Sequence, residues 1–136
     1  MAAAARQTEL NTRVLVVEDE HDVCELMADI LEAAGFQVCC VNTDGEAYAL
    51  LGRTRVAALV VDINLRAGTT GFDVARFARQ AWPGLPTLYV SGQASERSFS
   101  AFGVPGSVFI EKPFKPDELL VRLQALVHGD TPPPSR

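Results

Sequence analysis

The sequence predicts an α/β domain in which helices cover both faces of a parallel, five-stranded sheet. Strand-like and helix-like segments alternate five times along the 136 residues, which is typical of strands joined by crossover helices. The strand-like segments are short continuous apolar runs, as expected for strands buried on both faces. With 48% apolar and 21% charged residues, the composition is that of an ordinary globular domain.

The first half of the chain contains two strand–helix units. Residues 14–17 form the first strand, and the helix after it ends at Gly35, a residue that commonly terminates helices. Residues 36–41 form the second strand. Thr43 and Glu46 have the spacing of a capping box, so we expect a short helix to begin there.

The third strand is the most apolar run of the chain, residues 56–61, and it ends at Asp62. The next helix breaks at Trp82-Pro83-Gly84, and residues 86–91 form the fourth strand. Residues 93–103 are rich in Ser and Gly with few apolar anchors, so we expect the fourth helix to be short, irregular or mobile. The fifth strand, residues 108–110, is followed by a helix that begins at Pro116.

We expect the folded domain to span residues 13–128, between a flexible N-terminal tail (1–12) and a proline-rich C-terminal tail (129–136). The chain begins without the apolar segment of a secretory signal. No run approaches the roughly 18 apolar residues of a membrane span. The net charge of −5 disfavours a nucleic-acid partner, which requires clustered basic residues. These observations predict a cytoplasmic protein without a nucleic-acid or membrane partner.

Three cysteines are present, Cys24, Cys39 and Cys40, and their spacing matches no common metal motif. Because their number is odd and a reducing compartment is expected, we interpret them as small buried side chains without a disulfide framework.

Polar side chains follow the apolar runs of four strands, namely Glu18 and Asp19, Asp62, Ser91, and Lys112. In a doubly wound sheet of order 2-1-3-4-5 the first and third strands are neighbours, and ligands bind outside their carboxyl ends. Glu18, Asp19 and Asp62 should therefore meet there. Clustered carboxylates repel one another unless a cation lies between them, and oxygen ligands suit Mg²⁺, or Mn²⁺ in its place.

A carboxylate can attack phosphorus to form an acyl phosphate. The transition state spreads negative charge over three equatorial oxygens, so catalysis consists mainly of positioning and charge neutralisation. A metal ion, the Lys112 ammonium and the Ser91 hydroxyl can serve those oxygens, together with backbone N–H groups near Asn64 and at Gly92.

The segments that carry these residues closely resemble the receiver domain of two-component response regulators, in its stand-alone type. The resemblance covers residues 13–127, and four motifs occur in the family's order and spacing. They are Leu15-Val16-Val17-Glu18-Asp19-Glu20, Val60-Val61-Asp62-Ile63-Asn64-Leu65, Tyr89-Val90-Ser91-Gly92 and Glu111-Lys112-Pro113-Phe114.

This resemblance implies a flavodoxin-like (βα)5 fold and a chain that is phosphorylated on Asp62 by a histidine kinase or a histidine phosphotransfer protein. It implies that Asp19, Asp62 and the backbone carbonyl of Asn64 bind Mg²⁺, while Glu18 acts through a water molecule. It also implies that Lys112, Ser91 and Gly92 stabilise the phosphoryl group.

The resemblance further implies that Ser91 and Phe109 are switch residues, that Asn64 and Gln93 tune dephosphorylation, and that Pro113 follows a cis peptide bond. A downstream protein target would bind the face made of the fourth helix, the fifth strand and the last helix. The chain would act through protein contacts, or as a phosphoryl relay or sink, with intrinsic autodephosphorylation and no separate catalytic domain.

Three other interpretations remain open. A haloacid-dehalogenase-like phosphatase would also use Asp62 as its nucleophile, but it would have a second aspartate where Asn64 lies. A flavodoxin-like cofactor binder would have a Ser-, Thr- and Gly-rich loop after the first strand, where Glu18-Asp19-Glu20 would instead repel an anion. A receiver that binds partners without being phosphorylated would not need the intact set of acids.

Overall fold

The computed structural model of the protein describes residues 12–65, 69–92 and 95–129. Within these residues five strands and five helices alternate. The strands are β1 (Arg13–Val17), β2 (Gln37–Val41), β3 (Ala58–Val61), β4 (Thr87–Ser91) and β5 (Val108–Glu111). The helices are α1 (His21–Ala33), α2 (Asp44–Leu51), α3 (Gly71–Ala81), α4 (Glu96–Phe102) and α5 (Pro116–Val127).

The strands form one parallel sheet in the order β2-β1-β3-β4-β5, which confirms the predicted doubly wound fold. Strand β1 pairs with β2 on one side and with β3 on the other, so the direction in which successive strands are added to the sheet reverses at β1. Val17 is in register with Val61, and the Asp62 N–H donates to the Val17 carbonyl at 3.0 Å. The residues that follow β1 and β3 are therefore neighbours.

A separate apolar core lies on each face of the sheet. Because successive side chains of a strand point to opposite faces, Leu15 and Val17 pack with residues of α2 and α3, whereas Val14 and Val16 pack with residues of α1 and α5. All four side chains are fully buried. This burial on both faces explains why β1, like β3 and β4, appears in the sequence as a continuous apolar run, whereas the edge strand β2 is partly exposed.

Hydrogen bonds at the helix ends agree with the sequence in part. The Thr43 hydroxyl oxygen accepts from the Glu46 N–H at 3.2 Å, as the capping pattern predicts. The Glu46 carboxylate, however, accepts from the backbone N–H of Asn42 at 3.0 Å. A reciprocal capping box forms instead at α3, between Thr70 and Asp73.

Three strands begin one or two residues later than predicted. Strand β2 begins at Gln37, β3 at Ala58 and β4 at Thr87. Helix α4 contains seven residues, in agreement with the expected short fourth helix. Most of the two predicted tails lies outside the described residues, as does Gln93. Among the described residues, no helix is long and apolar enough to cross a membrane.

The expectation of three unpaired, buried cysteines is wrong. Cys24 of α1 and Cys40 of β2 form a disulfide, with their Cα atoms 6.1 Å apart, and Cys39 is an exposed free cysteine. Cys40 lies on the face of β2 that packs against α1, whereas its neighbour Cys39 points to the other face. An odd number of cysteines means only that the cysteines cannot all pair within one chain, and it does not exclude a disulfide between two of them.

Gly71, the first residue of α3, lies directly against the backbone of Asp62. Its N–H donates to the Ile63 carbonyl at 2.8 Å. A Cβ atom at this position would overlap the Asp62 carbonyl oxygen and would lie 3.0 Å from the Ile63 Cα. The absence of a side chain at Gly71 therefore allows α3 to pack against the segment that carries Asp62.

We expect Gly71→Ala to lower the free energy of unfolding by about 1–3 kcal/mol, because backbone atoms must shift to make room for the methyl group. Gly45→Ala is the matched control, since a Cβ there meets nothing within 4 Å. It should raise the free energy of unfolding by about 0.4–1 kcal/mol by restricting the unfolded chain. Urea unfolding of the two variants measures both effects, and equal stabilities would contradict the close approach at Gly71.

Candidate functional site

Three carboxylates meet at the carboxyl edge of the sheet. Glu18 and Asp19 follow β1 and Asp62 follows β3, and one oxygen from each lies within 4.8 Å of the others. Glu18 is fully buried, Asp62 is 6% exposed and Asp19 is half-buried. The structure therefore brings together the three acids that the sequence predicted to meet, although 43 positions separate Asp19 from Asp62.

Both oxygens of the Asp62 carboxylate accept hydrogen bonds. The Oδ1 atom accepts from the Ser91 hydroxyl at 2.6 Å and from the Asn64 backbone N–H at 3.0 Å. The Oδ2 atom accepts from Lys112 Nζ at 3.0 Å. Asp62 is thus contacted by Ser91, which ends β4, and by Lys112, which follows β5; the sequence predicted contacts of these two groups with phosphoryl oxygens, and both already contact the carboxylate itself.

Glu18 is held by hydrogen bonds on both of its side-chain oxygens. Lys112 Nζ donates to Oε1 at 2.7 Å, and the Glu20 backbone N–H donates to Oε2 at 3.2 Å. The Asn42 side chain fixes the backbone here, since its amide donates to the Glu18 carbonyl at 2.8 Å. Lys112 therefore bridges two carboxylates that belong to different strands.

Burial raises the pKa of Glu18 to about 7, although its hydrogen bond to Lys112 opposes that rise. Burial acts in the opposite direction on Lys112, but the hydrogen bond to Glu18 and the charge of Asp62 outweigh it, and the pKa of Lys112 is raised. Lys112 therefore keeps its positive charge under neutral conditions.

A second group of polar side chains continues from Asp62 toward α4. The Asn64 side-chain amide donates to the Ser95 hydroxyl oxygen at 2.8 Å and to that of Ser91 at 3.3 Å. The two serine hydroxyl oxygens lie 3.1 Å apart. Ser95 was missed in the sequence analysis. Its only signal there was a polar residue four positions after Ser91 in a segment with few helix formers.

Phe109 lies in an aromatic cluster on the α4 side of the sheet. Its ring stacks on that of Phe99 of α4, with the centroids 5.5 Å apart. Phe99 in turn makes an edge-to-face contact with the buried Tyr89, with the ring centroids 5.6 Å apart. Phe109 is half-buried and packs against the core on that face.

The remaining predicted site residues are placed as follows. The Lys112–Pro113 peptide bond is cis, as the resemblance implied. The Gly92 carbonyl accepts from the Ser95 N–H at 3.0 Å, at the start of α4. Gln93 lies outside the described residues.

This chain belongs to the response regulator receiver domain family, whose model matches residues 14–124. The transcriptional regulatory protein TcrX of Mycobacterium tuberculosis is 31% identical over 115 residues, which are 84% of this chain and 49% of TcrX. An NtrX-like response regulator of Rickettsia bellii is 29% identical over 113 residues, which are 82% of this chain and 24% of that protein. The chain thus spans half or less of the length of these two relatives.

The fold is also similar to solved receiver structures. The crystal structure of a response regulator receiver protein from Sinorhizobium medicae has a TM-score of 0.84 at 29% identity, covering 90% of this chain and 98% of that one. Neither this similarity nor the family match supports a haloacid-dehalogenase-like phosphatase. The position where such an enzyme would have its second aspartate is Asn64, whose amide contacts Ser95.

We expect Lys112→Met, measured without divalent metal, to lower the free energy of unfolding by about 1–3 kcal/mol. The substitution keeps an apolar side chain of similar length but leaves buried Glu18 and Asp62 facing each other without their shared cation. Lys115→Met is the control, because Lys115 is exposed and lies beyond this cluster. Adding Glu18→Gln to Lys112→Met should recover part of the loss. Equal stability of the two lysine variants would contradict a stabilising role for the bridge.

Proposed function

We propose that this chain accepts a phosphoryl group on Asp62 from the phosphohistidine of a histidine kinase or of a histidine phosphotransfer protein. The observation that carries the proposal is the environment of one carboxylate. Asp62 is 6% exposed, it lies beside two further acids, and Ser91 and Lys112 contact its two oxygens from neighbouring strands. Family membership supports the same chemistry.

In the proposed reaction an oxygen of Asp62 attacks the phosphorus atom as the phosphorus–nitrogen bond breaks. The electron pair of that bond stays on the imidazole nitrogen of the donor, and Asp62 becomes an acyl phosphate. Lys112 Nζ lies 3.0 Å from Oδ2, close enough to neutralise charge on a phosphoryl oxygen. The Ser91 hydroxyl and the Asn64 N–H donate hydrogen bonds on the other side. We assign the Gly92 N–H to the same role.

The acid cluster has the donor chemistry of a Mg²⁺ or Mn²⁺ site. Such ions prefer oxygen ligands, and Mg²⁺ commonly takes one or two carboxylates while keeping several waters. We assign Asp19, Asp62 and the Asn64 carbonyl as ligands. Glu18 would act through water, in keeping with the bonds that already occupy both of its oxygens. A bound ion would supply further positive charge for the phosphoryl oxygens.

The phosphoryl group would later be lost by hydrolysis, in the intrinsic autodephosphorylation that the resemblance implies. Asn64 and Gln93 are our candidates for setting the rate of that loss. Asn64 is close enough for this role, because its backbone N–H contacts Asp62 and its side chain contacts the neighbouring Ser91.

We further propose that a partner protein reads the phosphorylated state on the surface of α4, β5 and α5. The stacking of Phe109 of β5 on Phe99 of α4 supports this, because it links two elements of that surface. A net charge of −5 favours a protein partner over a nucleic acid. We place the protein in the cytoplasm, whether it acts by binding a partner protein or by passing the phosphoryl group on.

Incubation with acetyl phosphate and Mg²⁺ should add one phosphoryl group to the protein, because Asp62 is the proposed nucleophile. Intact-protein mass spectrometry detects the adduct, and Asp62→Asn should abolish it. Asp29→Asn on the exposed face of α1 is the matched control and should be labelled normally. Undiminished labelling of Asp62→Asn would show that another residue is the acceptor.

Mg²⁺ should raise the melting temperature by relieving repulsion among the three carboxylates. At 100 times the dissociation constant, the gain in unfolding free energy is about 2.7 kcal/mol. Asp19→Asn should lose most of the shift, and Asp29→Asn should keep it. Thermal unfolding with and without the ion tests this, and a wild-type melting temperature that ignores Mg²⁺ would count against the site.

A further inference from the structure

We propose that Ser95 is a positioning residue for phosphoryl transfer, which acts by orienting the hydroxyl group of Ser91 toward Asp62. This inference rests on the proposed function of Asp62 as the acceptor. It assigns a role to a side chain that contacts neither Asp62 nor the acid cluster through any hydrogen bond observed in the described residues.

Ser95 occupies the N-cap position of α4, yet its side chain does not cap the helix. A serine at this position usually accepts a hydrogen bond from a backbone N–H in the first turn of its own helix. Here the side chain is buried, with 4% of the residue exposed, and its oxygen accepts from the Asn64 amide at 2.8 Å instead. The Ser95 side chain therefore forms hydrogen bonds with residues of the site instead of capping its own helix.

The direction of each hydrogen bond follows from the chemistry of the groups. The Asp62 carboxylate can only accept, so the Ser91 hydroxyl must donate its single hydrogen to Oδ1, at 2.6 Å. Ser91 therefore has no hydrogen left for Ser95, and the Ser95 hydroxyl must be the donor across the 3.1 Å contact. The Asn64 amide in turn donates to Ser95. The hydrogen bonds thus form a series from Asn64 to Ser95, Ser91 and Asp62, in which each group donates to the next one.

This arrangement restricts the Ser91 hydroxyl to one useful orientation. Its oxygen accepts from Ser95 and from Asn64, so its hydrogen is left to point at the acceptor carboxylate. Hydrogen bonds in such a chain also polarise one another, which strengthens the final donor. Without the Ser95 hydroxyl, the Ser91 hydroxyl is held less firmly and stabilises the charge on a transferring phosphoryl group less well.

The test compares initial rates of labelling by acetyl phosphate and Mg²⁺ in Ser95→Ala, Ser91→Ala, the double variant and the wild type. Ser95→Ala should be slower by about two- to tenfold, the effect of one hydrogen bond. Asp29→Asn on the exposed face of α1 is the control, because it lies outside the site and the proposed partner surface, and its rate should be unchanged. The double variant should match Ser91→Ala, because a residue that acts through Ser91 has no effect once that hydroxyl is gone.

Thermal unfolding of each variant accompanies the rates. Ser95→Gly is measured as well, because glycine is tolerated at N-cap positions and removes the hydroxyl together with its Cβ atom, so that no apolar methyl group is left beside Asn64 and Ser91. It should slow labelling as Ser95→Ala does. If one of the two variants fails to fold, the labelling rate of the other still tests the inference.

Two results would overturn the inference alone, namely a normal labelling rate in both folded Ser95 variants, or a further loss when Ser95→Ala is added to Ser91→Ala. The second result would mean that Ser95 acts through the general structure rather than through the Ser91 hydroxyl. A wild-type protein that gains no phosphoryl group would overturn the proposed function itself, and this inference with it.

Discussion

The contact on which the site depends is the bridge from Lys112 to Glu18 and Asp62, at 2.7 and 3.0 Å. It joins the carboxyl ends of three strands, β1, β3 and β5, which are remote from one another in the sequence. Two carboxylates this deeply buried would be costly without a cation between them. Lys112 is 22% exposed, so it offsets their charge while remaining accessible to an incoming group.

The two oxygens of Asp62 divide the site into two halves with different chemistry. The groups on the Oδ2 side are charged: Lys112 donates to Oδ2, and the same ammonium group also donates to Glu18. On the Oδ1 side lie neutral donors, the Ser91 hydroxyl and the Asn64 N–H, which continue to Ser95 at the start of α4. A phosphoryl group on Asp62 would therefore affect the charged half through electrostatics and α4 through hydrogen bonds.

Much of the fold and of the site could be predicted because they follow from local patterns. Continuous apolar runs predicted strands buried on both faces, and the order 2-1-3-4-5 of a doubly wound sheet makes β1 and β3 neighbours, as observed. That adjacency was enough to bring Glu18, Asp19 and Asp62 together. The ends of elements were less predictable, since β2, β3 and β4 each begin one or two residues later than the sequence indicated.

The sequence by itself determined the strands, their alternation with helices and the chemical groups that follow them, because alternation and apolar runs act over a few neighbouring residues. Only the tertiary structure decided that Cys24 pairs with Cys40, that α3 approaches Asp62 at Gly71, and that Ser95 turns away from its own helix. Each of these features depends on contacts between residues that belong to different strands, helices or loops. Such contacts depend on distances and directions that become defined only when two elements have packed together.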